Sequence, residues 1–170
     1  MTIGGSSIAD ELATIAPWAT PAPRIALAER MARLDKARAL VEAAGADALL
    51  IGAGASLRYF AGIPWGATER LVALLLPVKG QPILICPRFE QGSLEAAVEI
   101  DAELRLWEED ESPYALVADA VRGRLLLDPQ LPYGMASALA ATGLELGDGA
   151  GVIDACRMIK SPAELALLRQ

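Results

Sequence analysis

The segment that decides the fold covers residues 71–86 and reads LVALLLPVKGQPILIC. Its first apolar run, at 71–77, has the length and composition of a buried strand. Lys79 and Gly80 supply turn residues, and a second apolar run follows at 82–86. Two such runs with a short turn between them predict a β-hairpin, so at least one pair of strands is antiparallel.

The residues before this hairpin predict a helix, a strand and a short helix. An apolar stripe at helical spacing begins at Ile25, and Gly45 is placed to end this first helix as a left-handed cap. Residues 47–52 then read as a strand. Ser56 is expected to cap a helical turn that ends at Gly62.

Beyond the hairpin, helical and strand patterns alternate. We predict helices at 89–98, 113–121, 133–142 and 151–159, and strands at 104–107, 125–128 and 144–146. Alternating elements with one hairpin indicate an α/β fold, in which a mixed β-sheet is flanked by helices on both faces.

The two ends of the chain differ from this central pattern. Residues 1–24 are predicted to be an amino-terminal arm, with a short helix at 8–15 followed by three prolines. Residues 25–158 form the domain. Residues 159–170 contain a capping box, Ser161-Pro162-Ala163-Glu164, which starts a helix that is too short to be stable alone. We therefore expect the chain to be a fragment that stops where another domain begins.

Composition excludes several classes of function. The 170-residue chain carries a net charge of −7, which disfavours nucleic acid as a partner. It contains no histidine, which removes Ser-His-Asp and Cys-His catalysis. We expect no membrane span, because no apolar run is long enough. Cys86 and Cys156 are expected to be reduced and buried, and without a visible signal peptide the cytoplasm is the expected compartment.

Two other motifs have weak functional interpretations. The stretch GAGASL at 52–57 has the spacing of a dinucleotide fingerprint, but Leu57 replaces the third glycine and no acidic residue ends the next strand. The acidic run at 108–111 offers carboxylates to Ca²⁺ without the spacing of a calcium loop, so a solvated acidic turn is the simpler interpretation.

Four segments, taken in order, resemble the amino-terminal domain of the creatinase/prolidase family. Residues 30–36, RMARLDK, are similar to its first helix, and residues 44–51, AGADALLI, to its first strand. Residues 57–62, LRYFAG, resemble its N-x-x-Y-x-[ST]-G segment, although the asparagine and the Thr/Ser are absent here. Residues 157–164, RMIKSPAE, match the R-x-I-K-S-P-x-E junction that leads into the family's catalytic domain.

The resemblance implies that the parent protein is a metallopeptidase that cleaves Xaa-Pro substrates, either an Xaa-Pro aminopeptidase or an Xaa-Pro dipeptidase (prolidase). In this family two divalent metal ions (Mn, Co or Zn) are bound by two Asp, one His and two Glu of the catalytic domain, which would follow Lys160. This chain is therefore expected to hold no catalytic residue and no metal ligand, and to be inactive alone. The implied partners are the catalytic domain of the same protein and a second copy in a homodimer.

The resemblance also implies that residues 63–70, IPWGATER, reach the partner subunit's substrate pocket. Trp65 is expected to pack against the substrate, and Arg70 to bind a carboxylate. Alternatively, Trp65 packs on its own domain, and Arg70 forms a structural ion pair with Glu69 or Glu90. Thr68 stands where creatinases proper carry an aromatic residue, which favours a peptidase parent.

A free-standing binding or regulatory domain with the same fold is the second functional hypothesis. It predicts a natural chain that ends near Gln170, and a helix that leaves Leu165 and Leu168 without a partner speaks against it.

Overall fold

The structure, a computed structural model, describes residues 2–16 and 20–170 and divides into two compact units. One unit comprises residues 1–25 and 160–170, and the other comprises residues 26–159. In the first unit, strands β1 (Thr2–Ile3) and β2 (Ser6–Ser7) form an antiparallel pair that leads into helix α1 (Ile8–Thr14).

The second unit is built around a mixed six-stranded sheet. Its helices are α2 (Leu27–Ala43), α3 (Ala55–Ala61), α4 (Gln91–Ala97, preceded by a 3₁₀ turn at Arg88–Glu90), α5 (Pro113–Ala120), α6 (Tyr133–Ala140) and α7 (Ala150–Arg157). Its strands are β3 (Ala48–Gly52), β4 (Ala73–Pro77), β5 (Ile83–Pro87), β6 (Glu103–Trp107), β7 (Arg124–Leu127) and β8 (Glu145–Asp148).

The strand order is β6-β5-β4-β3-β7-β8. Strand β4 is antiparallel to both of its neighbours, whereas the other adjacent strands pair in parallel. Five strands therefore end at the same side of the sheet, and β4 begins there. We call this side the carboxyl end of the sheet.

Side chains of the central strands alternate between two apolar cores. Leu49 and Ile51 of β3 join one core with α2, α3, α4 and α7, whereas Leu50 joins the other with α5 and α6. Leu74 and Leu75 of β4 divide in the same way. All five side chains are fully buried, and each contributes on the order of 1.5–3 kcal/mol through removal of apolar surface from water. The mixed sheet with helices on both faces agrees with the fold class that the sequence indicates.

The ends of the elements confirm one predicted cap and contradict another. Gly45 adopts the predicted left-handed conformation after α2. Gly62 adopts a left-handed conformation after α3, and the Ser112 hydroxyl caps α5 by accepting from the Ala115 N–H. The predicted cap at Ser56 is wrong, because α3 begins one residue earlier, at Ala55. Ser56 consequently lies inside the first turn, where it is buried and its hydroxyl accepts a hydrogen bond from Arg157 Nη1 at 3.3 Å.

Helix α8 (Pro162–Leu168) belongs to the first unit and has the predicted capping box. The Ser161 hydroxyl accepts from the Glu164 N–H at 3.2 Å, and the Glu164 carboxylate accepts from the Ser161 N–H at 2.9 Å. Among the residues that the structure describes, no helix is long and apolar enough to cross a membrane.

Gly149 joins β8 to α7 at a close backbone approach. Its N–H donates to the Leu127 carbonyl at 2.8 Å, and a β-carbon at this position would lie 2.5 Å from the same oxygen. Replacing Gly149 with Ala must therefore move β7 away from α7, and we expect a loss of about 1–3 kcal/mol in the free energy of unfolding, measured by urea denaturation.

Gly151→Ala is the matched control, because a β-carbon at Gly151 meets nothing within 4 Å. Gly151 lies inside α7, so alanine there is expected to add a few tenths to about 1 kcal/mol of stability. Equal effects of the two substitutions would contradict the close approach at Gly149.

Candidate functional site

Residues 63–70, which we call the 63–70 segment, connect α3 to β4 at the carboxyl end of the sheet. Ile63 is fully buried and Leu71, just beyond the other end, is 1% exposed, whereas Pro64 and residues 66–69 are exposed. The Leu71 carbonyl accepts a hydrogen bond from Trp107 Nε1 at 3.2 Å. The segment is thus fixed at both ends and presents its middle to the surroundings.

Arg30 of α2 fixes the first end of the segment. Its Nη1 donates to the Arg58 carbonyl at 3.2 Å, and its Nε donates to Glu99 Oε2 at 2.7 Å. A β-carbon at Gly62 would lie 2.8 Å from both Arg30 Cζ and Glu99 Oε2. The ion pair therefore packs directly against the glycine that ends α3.

Arg33, one helical turn later in α2, holds the next carbonyl of α3. Its Nη1 donates to the Tyr59 carbonyl at 2.8 Å, its Nη2 pairs with Glu29 at 2.6 Å, and its guanidinium lies 4.0 Å from the centroid of the Tyr59 ring. The Tyr59 hydroxyl in turn donates to the Cys156 carbonyl at 2.7 Å. Phe60 is fully buried, and Tyr59 packs partly against the same core.

Trp65 is half-buried and packs partly against the core that contains α2 and α3. The backbone N–H of Trp65 donates to the Ile63 carbonyl at 3.0 Å, and this bond closes a turn just after α3. This placement fits a residue that is held by its own domain while part of its surface stays accessible.

The guanidinium of Arg70 contacts the side chains of Glu109, Glu69 and Phe89. Its Nε donates to Glu109 Oε1 at 2.8 Å, its Nη1 donates to Glu69 Oε1 at 2.5 Å, and its guanidinium lies 5.3 Å from the Phe89 ring centroid. The hydrogen bond and charge of Glu109, with a smaller effect of Glu69, raise the pKa of Arg70 above its ordinary value. The ion pair with Glu69, one of the two predicted alternatives, is confirmed, and Glu109 is a further partner that the sequence did not indicate.

Sequence reasoning missed Glu109 and Phe89 as neighbours of Arg70. Glu109 follows β6 and Phe89 follows β5, and both strands are parallel, so both residues come to the carboxyl end of the sheet. Arg70 comes to the same end because β4, which it precedes, is antiparallel. The hairpin was visible in the sequence, but the pairing of β5 with β6 was not.

Three glutamates of the acidic run at 108–111 form ion pairs or hydrogen bonds within the protein. Glu108 pairs with Arg88, Glu109 pairs with Arg70, and Glu111 Oε2 accepts from the Glu108 N–H at 2.8 Å. Within residues 2–16 and 20–170, no group of three or more His, Cys, Asp or Glu side chains is arranged to hold a metal ion. These contacts support the interpretation of the run as a surface turn.

The GAGASL stretch lacks the context of a dinucleotide site. Such a site requires the strands before and after the helix to be parallel, but β3 and β4 flank α3 and are antiparallel. Leu57, in place of the third glycine, is fully buried.

Both cysteines are free and buried, as the sequence predicts. Burial, together with the charge of Glu90, raises the pKa of the Cys86 thiol to about 12. Burial also raises the pKa of the Cys156 thiol, and Lys36 partly offsets that rise. Neither thiol is therefore suited to act as a nucleophile near neutral pH.

Comparison with known proteins gives a consistent result. Residues 33–159 match the family model described as the Creatinase/Prolidase N-terminal domain. A curated relative, the probable dipeptidase PepE of Mycobacterium bovis, is 32% identical over 148 residues; the match covers 81% of this chain and 38% of the relative. The chain therefore spans well under half the length of this relative and of the PepE proteins from two Mycobacterium tuberculosis strains that it also matches.

Solved structures agree with this match. The crystal structure of dipeptidase PepE from Mycobacterium ulcerans aligns with a TM-score of 0.75 and 33% identity, over 84% of this chain and 40% of that one. The creatinase/prolidase N-terminal domain of an X-Pro dipeptidase from Streptococcus pyogenes aligns with a TM-score of 0.63 and 16% identity, over 73% of this chain and 98% of that one. At that identity the second match supports the fold alone.

The hydroxyl of Tyr59 ties α3 to α7 and helps to fix the start of the 63–70 segment. Removing it in Tyr59→Phe leaves the Cys156 carbonyl without this donor, so we expect the free energy of unfolding to fall by about 0.5–1.5 kcal/mol in urea denaturation. Tyr133→Phe is the control, because Tyr133 is 87% exposed, and its effect should stay below about 0.5 kcal/mol. Indistinguishable effects would argue against the Tyr59–Cys156 bond.

Proposed function

Because the chain belongs to the creatinase/prolidase N-terminal domain family, we propose that it is the non-catalytic amino-terminal domain of an Xaa-Pro peptidase of the aminopeptidase P or prolidase type. One observation carries this proposal. The chain aligns with almost the whole of a separately solved N-terminal domain but with only about two fifths of a complete dipeptidase. Its similarity to PepE, at 32–33% identity, favours a peptidase parent.

The chemistry of peptide hydrolysis belongs to the rest of the parent protein. The residues of this chain do not fit a dinuclear metal site, since the sequence has no histidine and the described residues include no cluster of potential ligands. Two divalent metal ions (Mn, Co or Zn) in a following catalytic domain would activate the water that attacks the peptide bond. This chain would then be inactive alone.

Exposed apolar side chains near the carboxyl terminus support a catalytic domain of the same protein as partner. They are Leu165, Leu167 and Leu168, with exposed fractions of 37–70%. Helix α8 has only seven residues, and a helix of this length depends on packing for its stability. A domain that follows α8 would cover these side chains.

The 63–70 segment is the part of this chain that we assign to substrate binding. In a homodimer its exposed middle would enter the substrate pocket of the partner subunit. Trp65 would present a rigid aromatic face to the proline ring and exclude water from the pocket. Arg70, whose side chain is 37% exposed, would bind a carboxylate of the substrate.

The cytoplasm is the compartment that we assign to the protein. Two free and buried cysteines fit a reducing environment, in which thiols do not form structural disulfides.

The gene that encodes this chain provides the first test. We expect the reading frame to continue beyond the codon for Gln170 and to supply two Asp, one His and two Glu as metal ligands. The full-length product should hydrolyse Xaa-Pro dipeptides or longer Xaa-Pro peptides in a metal-dependent manner, and residues 1–170 alone should not. A stop codon directly after Gln170 would overturn the proposal in favour of a free-standing binding or regulatory domain.

Trp65→Ala tests the contribution of the segment in the full-length enzyme. Loss of the aromatic wall should raise KM for an Xaa-Pro substrate about tenfold. Tyr133→Ala is the control, because Tyr133 is also an aromatic residue at the carboxyl end of the sheet, where it follows β7 and is exposed. KM should not change in this variant.

Mixed dimers decide whether Trp65 acts in the partner's pocket. A Trp65→Ala subunit would be combined with a subunit that keeps Trp65 but lacks one metal ligand. If the segment acts in trans, Trp65 of the metal-deficient subunit enters the pocket of the Trp65→Ala subunit, whose metal site is intact. The mixed dimer then regains a normal KM. If mixing restores nothing, the segment does not act across the dimer.

A further inference from the structure

The surroundings of Arg70 are not those of a free carboxylate receptor. Glu109 and Glu69 both contact its guanidinium, at 2.8 Å and 2.5 Å, so one positive charge faces two negative charges. An additional carboxylate that approached this group would be repelled. Arg70 can bind a substrate carboxylate well only if one of its two glutamate partners leaves.

The donors of Arg70 point to Glu109 as the partner that leaves. Bidentate binding of a carboxylate requires two adjacent donors of the guanidinium. Glu109 accepts from Nε, which forms one such pair of donors with Nη2. The Phe89 ring also lies near the guanidinium. Departure of Glu109 frees Nε together with the neighbouring Nη2, whereas Glu69, on Nη1, can stay in place.

Glu109 is also placed to leave easily. Its side chain is 60% exposed and it lies in the turn after β6, so the released carboxylate enters water directly. An exposed ion pair of this kind is weak, because solvent and salt screen it. Exchange of one carboxylate for another on Arg70 therefore needs only a side-chain rotation.

We propose that Glu109 is a specificity-determining residue that competes with the substrate's carboxylate for Arg70. This inference rests on the proposed function, in which Arg70 binds that carboxylate. Glu109 then weakens the binding of short substrates, whose free carboxylate lies beside the scissile bond, and leaves substrates without that charge unaffected. The glutamate thereby tunes the preference between dipeptides and carboxyl-blocked or longer peptides.

The isolated chain allows a direct test of the contact. In ¹H–¹⁵N spectra of residues 1–170, Glu109→Gln should shift the Arg70 Nε–H resonance. Glu108→Gln is the matched control, because it removes the same charge from the preceding residue, whose partner is Arg88. If Glu109→Gln and Glu108→Gln leave the Arg70 resonance equally unchanged, the pair does not form in solution and the inference falls.

The full-length enzyme tests the competition. Glu109→Gln should lower KM for an Xaa-Pro dipeptide about two- to fivefold, the range expected for removal of an exposed competing ion pair. KM for the corresponding dipeptide amide should not change, and Glu108→Gln should leave the ratio of the two KM values as it is. A rise in KM for the dipeptide in Glu109→Gln would show that Glu109 orients Arg70 and does not compete, which overturns the inference.

A double-mutant cycle separates this inference from the proposed function. If Arg70 binds the carboxylate, Arg70→Gln raises KM for the dipeptide, and Glu109→Gln then has no further effect in the Arg70→Gln background. If Arg70→Gln leaves KM unchanged, the role of Arg70 fails, and the inference with it. If Arg70→Gln raises KM but Glu109→Gln lowers it equally in both backgrounds, only the competition by Glu109 is refuted.

Discussion

The reversed direction of β4 is the constraint on which the rest of the domain depends. The other five strands of the sheet run parallel to one another. A connection between two parallel strands has to run from the carboxyl end of the sheet back to the opposite end. Because β4 is antiparallel, the chain that leaves α3 enters the sheet from the carboxyl end. The 63–70 segment consequently lies beside the residues that follow β5 and β6. The side chains of β4 are buried in both cores, and this burial stabilises the strand in its reversed direction.

Two arginines of α2 fix the position of the 63–70 segment by binding carbonyls of α3. Arg30 and Arg33 are each only 7% exposed, and a buried guanidinium is costly unless its donors are satisfied. Each satisfies its donors with one carbonyl of α3 and one carboxylate, Glu99 or Glu29. The end of α3 is therefore held by two buried guanidinium groups. Such an arrangement favours one orientation of the segment over others, and adds less to overall stability than the apolar cores do.

The ion pairs at the carboxyl end of the sheet differ from these two. Arg70 and Arg88 meet Glu109 and Glu108 on the surface, where the side chains of all four are between 37% and 60% exposed. Exposed pairs contribute little to stability and exchange readily. Buried arginines thus hold the segment, while the exposed arginines form weak ion pairs with glutamates on the surface. This division suits the role that we propose for the 63–70 segment, that of a positioned surface.

The amino-acid sequence by itself determined the order of elements from α2 onward, the hairpin of β4 and β5, the capping box at Ser161 and the resemblance to the family, but it did not indicate the β1–β2 pair. These features depend on local chemistry, in which apolar periodicity, turn residues and caps act over a few positions. The cap predicted at Ser56 failed because α3 already begins at Ala55, after Gly54, and Arg157, about a hundred residues away, donates to the serine hydroxyl. Only the tertiary structure decided that Arg70 meets Glu109, since 39 residues separate them. Their meeting depends on strand order and direction, which are set by the burial of whole strands and not by any local pattern.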